Sequence, residues 1–142
     1  MATASLNETL LSYIYRRNQI NTQITQHQNS KTLAAAESAD LADWKNAKYQ
    51  ALRTQCKNLF STTYINSSYV DYTQIPEYKE EVEYIDSYYE AEEEDMTNWE
   101  NALENQITTL SVELSEIDSY TESFKSMLSE NAKNDYNYAE GL

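Results

Sequence analysis

Glycine and proline are almost missing from this sequence, with one of each in 142 residues. Tight turns draw on these two residues for special backbone angles, so a multi-stranded sheet with many turns is excluded. The glycine, Gly141, lies one residue from the end, which excludes a glycine-rich phosphate loop. One cysteine, Cys56, excludes an intramolecular disulfide, and one histidine, His27, excludes a His-based zinc cluster. No run of about 20 apolar residues exists, so no transmembrane segment is expected. The N-terminal stretch lacks the basic region and apolar run of a cleavable signal, which points to a cytoplasmic protein or one exported without a signal peptide.

Positive charge is also scarce. Ten Lys and Arg face 24 Asp and Glu, for a net charge of −14. The imbalance is concentrated. Residues 1–75 carry seven basic and five acidic side chains, whereas residues 76–142 carry three basic and 19 acidic. Nucleic acid and anionic membrane would be repelled by the second half and are not expected as partners. The apolar fraction is 40%, and 13 of those residues are tyrosine, while Ser, Thr, Asn and Gln number 48. So thin a supply of core residues fits an extended all-α form that shares its core with partners better than a compact single core.

What the chain does have is a heptad seam. Stepping by seven from Ile75 gives Val82, Tyr89, Met96, Leu103, Leu110, Ile117 and Phe124, all apolar. Five of the eight residues three positions on are apolar too, among them Tyr78, Ile85 and Trp99. Such a repeat is the signature of coiled-coil packing. Beyond Leu103 the phase shifts to Ile107, Leu110, Leu114, Ile117, Phe124 and Leu128. Two successive steps of four, Trp99–Leu103–Ile107, place a stutter there, and the extra column at Ile107, Leu114 and Leu128 asks for a further helix.

Pro76, followed by Glu77, suits the first turn of this helix, expected over about 76–134 with a frayed tail at 135–142. The first half reads as a second helix over about 4–61. A capping box at Ser5–Glu8 opens it, and Leu6, Leu10, Ile20 and Ile24 carry its apolar face. The pattern thins through His27, Lys31 and Ala34, and a kink or break would fall at 28–31. It recovers at Leu41, Trp44, Leu52, Cys56 and Leu59. Between the helices, residues 62–75 form a polar, Tyr-rich connecting loop. The expected fold is therefore one domain, a long antiparallel helical hairpin with paired positions summing to about 137. That register sets Lys45, Lys48, Arg53 and Lys57 against the acidic run from Glu80 to Glu92, and Leu33–Ala36 against Trp99 and Leu103.

Candidate chemistry is sparse. Glu90–Asp95 is acidic, but successive helical residues point in different directions and no calcium-loop spacing is present, so no metal is expected. Cys56 beside Lys57 offers a slightly activated thiol, and is read before that as a small seam residue. No phosphate motif and no nucleophile–base pair occurs at workable spacing, so neither catalysis nor a cofactor is expected. The association seam is the expected site: Ile75, Val82, Tyr89, Met96, Trp99 and Leu103, then Ile107, Leu110, Leu114, Ile117, Phe124 and Leu128. Tyr64, Tyr69, Tyr72 and Tyr78 form a candidate interface at the tip, because tyrosine combines a stiff apolar body with a polar end. In outline the arrangement resembles filament subunits of bacterial type III secretion and flagellar systems, a likeness of architecture that no sequence motif carries. The expected function is structural: self-association through coiled-coil packing as a filament or scaffold subunit. The alternative is an acidic adaptor, stalk or chaperone that binds a basic partner. Its partner would be itself or another helical protein.

Overall fold

A computed structural model describes residues 3–140, with side chains for residues 3–136. It is an all-α helical hairpin. Helix α1 runs Thr3–Thr62, a 3-10 turn covers Tyr72–Gln74, and helix α2 runs Pro76–Glu140.

α1 is unbroken through 28–31, where the sequence offered a break. Two physical reasons account for this. No Gly or Pro occurs within α1, and its hydroxyl residues satisfy themselves locally. Thr22 Oγ1 donates to the Asn18 carbonyl at 3.0 Å and Thr25 Oγ1 to that of Asn21 at 3.0 Å, as do Thr54, Ser61 and Thr62 toward the preceding turn. Ser5 is not the cap; it lies within the first turns, and its carbonyl accepts from Thr9 Oγ1 at 2.9 Å. α2 continues to Glu140, past the expected end of the helix at 134. Positions 141–142 lie outside the described residues.

The chain divides into two compact units. One, here the loop unit, is Lys31–Asn101; the other, the termini unit, joins Met1–Ser30 to Ala102–Leu142. The divisions fall beside the two irregularities of the sequence, the thin stretch after His27 and the phase shift near Leu103.

Within the loop unit, Leu52, Cys56, Ile75 and Ile85 are buried together, with Trp44, Tyr49, Leu59 and Phe60 packed around them. The reversal is built from local bonds. Thr63 N–H donates to the Leu59 carbonyl at 2.7 Å, Val70 N–H to Gln74 Oε1 at 2.9 Å, and Thr73 N–H to Asp71 Oδ1 at 2.9 Å. Ile75 sits at φ −70°, ψ 147°, the extended backbone a residue before proline prefers, and Pro76 then starts α2.

Within the termini unit, Leu6, Ile20, Leu103 and Ile117 are buried. Tyr13 stacks on Tyr120 at 5.8 Å and meets Phe124 edge-on at 5.4 Å. Arg16 forks onto Glu113, with Nε to Oε1 at 2.8 Å and Nη2 to Oε2 at 3.0 Å, and Arg17 Nε reaches Asp118 Oδ1 at 2.8 Å. The bond to Glu113 holds the Arg16 proton more tightly than usual. The contacts of Tyr13 and Arg17 lie within about one helical turn of the register expected from the loop position, whereas Arg16 reaches about two turns from it.

Candidate functional site

The seam residues of α2 line the face turned to α1. Ile75, Leu103 and Ile117 are buried. Val82, Tyr89, Met96, Ile107 and Leu110 are half-buried, as are Leu114, Phe124 and Leu128. Trp99 differs. It is 36% exposed, and its neighbour Glu100 takes the half-buried position. The two steps of four therefore fall at Glu92–Met96–Glu100, two steps earlier along the stripe than the apolar residues imply. A tryptophan has enough apolar area to cover the seam from its edge, while Glu100 stands in the line of the stripe. The residues given to a third column, Ile107, Leu114 and Leu128, belong to the same stripe as the rest.

The four loop tyrosines are half-buried. Tyr64 and Tyr69 meet edge-on at 5.6 Å, Tyr72 and Tyr78 at 5.3 Å, and all four pack against the loop unit's core. The Tyr64 hydroxyl donates to the Glu77 carboxylate at 2.7 Å, and this bond raises its pKa. The most exposed apolar side chains of the loop are Ile65 and Val70. Aliphatic residues in a polar loop were the available signal for them.

Cys56 is 1% exposed. Burial first, then Glu77 and Glu81, raise its thiol pKa, so Lys57 does not activate it. Lys57 instead lies 5.5 Å from the Tyr72 ring. Of the four cations set against the acidic run, Lys45 alone comes within ion-pairing distance of a carboxylate among the described residues, 3.9 Å from Asp86 Oδ1. The same ammonium stands 4.2 Å from the Tyr89 ring centre. Tyr49 donates its hydroxyl to Asp86, and burial, then this bond, push its pKa up to about 12.

On another part of the loop unit lies a shallow groove of about 410 Å³. Leu52, Cys56 and Ile85 form its floor, Lys48 and Gln55 one wall, and Glu77, Glu80 and Glu81 the other. An aromatic ladder shares Lys48 with it. Trp44 and Tyr88 lie 4.7 Å apart, Tyr88 and Tyr84 stack at 6.4 Å, and Lys48 Nζ is 5.9 Å from the Trp44 ring. The contact of Trp44 with Tyr88 is not visible in the sequence, because it depends on the cross-helix register. In the termini unit, Gln23, Gln26 and His27 of α1 face Asn105, Gln106, Thr109 and Leu110 of α2 across a groove of about 570 Å³. Among the described residues, no three His, Cys, Asp or Glu side chains are grouped to hold a metal ion. Nor is any helix long and apolar enough to cross a membrane.

Comparison of the chain with family models, with curated proteins and with solved structures gives no match.

Proposed function

We propose that this protein is a non-enzymatic assembly subunit that self-associates by packing helices of one copy against those of another. The observation that carries the reading is an open apolar edge on the termini unit: Tyr120 is 51% exposed and Met127 47%, seven residues apart on one face of α2.

Light scattering coupled to size exclusion, over a hundredfold range of concentration, tests this. The mass should rise above the 16.5 kDa of one chain; a constant single-chain mass throughout would sink the proposal. Met127→Glu should lower the mass while leaving helicity unchanged. Leu110→Asp, in the packed stripe itself, should abolish both association and most helicity, and unchanged circular dichroism in that variant would refute the seam.

A second reading, an acidic adaptor for a basic partner, is favoured by the 19 acidic side chains against three basic ones in residues 76–142. Such a charge speeds encounter with a cationic partner and rejects others.

A further inference from the structure

The loop unit shows how its own lysines are accommodated. Lys45 stands over the Tyr89 ring at 4.2 Å with Asp86 beside it at 3.9 Å. Ring and carboxylate together make a seat for a cation, because the ring's negative face and the anion attract the same charge. A second set of the same parts adjoins the groove: Glu80 and Glu81 line it, and Tyr84 and Tyr88 follow on α2 outside its lining. Tyr84 is 59% exposed and Tyr88 41%. Tyr84 lies three and four residues from Glu81 and Glu80, so ring and carboxylates share one helix face. Neither Glu80 nor Glu81 makes an ion pair within 4.0 Å among the described residues. Lys48 is the single cation lining this groove against three carboxylates.

We infer that this acidic groove, with the exposed rings of Tyr84 and Tyr88 beside it, is a docking site for a Lys- or Arg-rich segment of a protein partner. The inference rests on the adaptor reading and names the surface that reading needs. Charge selects the occupant. A second copy, itself carrying −14, is repelled from this wall, as is nucleic acid. The rings select between cations: their faces suit ammonium and guanidinium groups on long apolar stems, and Glu80, Glu81 and Tyr84 are not arranged as an oxygen cage for a divalent ion.

The test is titration of the full chain with a synthetic helical peptide of lysine and alanine. Trp44 fluorescence is followed in a Trp99→Phe background, so that the ladder itself reports. Glu80→Gln with Glu81→Gln should weaken binding about tenfold. Glu93→Gln with Glu94→Gln removes the same charge from exposed positions further along α2 and should weaken it less than about threefold. Tyr84→Ala, which leaves charge unchanged, should weaken it about two- to fivefold. All these side chains are exposed, so circular dichroism should be unaltered. Equal weakening by the two glutamine pairs, with no effect of Tyr84→Ala, would overturn the groove while leaving the adaptor reading in place. No binding of the peptide at low salt would overturn both.

Discussion

Thr121 carries the one buried side-chain polar atom without a partner among the described residues. Other threonines on these helices return their hydroxyls to the preceding turn, as Thr109 does to the Asn105 carbonyl at 3.0 Å. Thr121 instead sits 8% exposed in the apolar stripe of the termini unit. A buried hydroxyl with no bond costs about 1–3 kcal/mol. Thr121→Val should therefore raise stability by about 1 kcal/mol, read as a higher midpoint in thermal circular dichroism. Tyr49 predicts the opposite kind of effect. Its pKa in the fold is about 12 against an ordinary 10.0. The neutral phenol is thus favoured by folding, and its contribution is complete below pH 10. It is lost as pH rises from about 10 toward 12. Tyr49→Phe should remove this part of the alkaline loss, which thermal melts across that range would detect.

At the scale of the element, burial rather than residue type decides energetic weight. Ile85 is 1% exposed in the loop unit's core, whereas Trp99 stands at the edge of the stripe. Ile85→Ala should cost about 2–5 kcal/mol, and Trp99→Ala, although it removes more atoms, should cost less than Ile85→Ala in urea unfolding. Both helices were legible in the sequence because a period of 3.5 is a one-dimensional signal. Ile75, Leu103 and Ile117 are buried where the heptad put them. Continuity through 28–31 was less legible. Its polar residues weaken the apolar pattern, yet the chain contains no breaker there, and absence of pattern is not a break. The choice of Glu100 over Trp99 was illegible because hydropathy counts only apolar atoms, and the glutamate's stem can line a stripe that its carboxylate leaves. The aromatic ladder was hidden for another reason: Trp44 and Tyr88 meet only once the register across the two helices is known.

For the whole molecule, charge and apolar area oppose each other. Copies carrying −14 repel, and apolar edges attract. Added salt shortens the screening distance from about 30 Å at 0.01 M to about 8 Å at 0.15 M. Self-association should therefore strengthen with salt, and capture of a basic peptide in the groove should weaken. Sedimentation and peptide titration over one salt series should move in opposite directions. If both moved together, one of the two surfaces would be misassigned.

The single reversal between α1 and α2 also fixes an order in time. The loop unit is closed by contacts near in sequence, such as Tyr49 to Asp86, 37 residues apart. The termini unit joins the chain's two ends, with Arg16 and Glu113 separated by 97. Loop closure costs about 0.6 kcal/mol more for each doubling of the intervening chain, so pairing beside the turn is the less costly start. During synthesis, residues 3–30 wait without their partner segment until the residues from Ala102 onward have been made. The α1 face that folding later covers is meanwhile open to solvent.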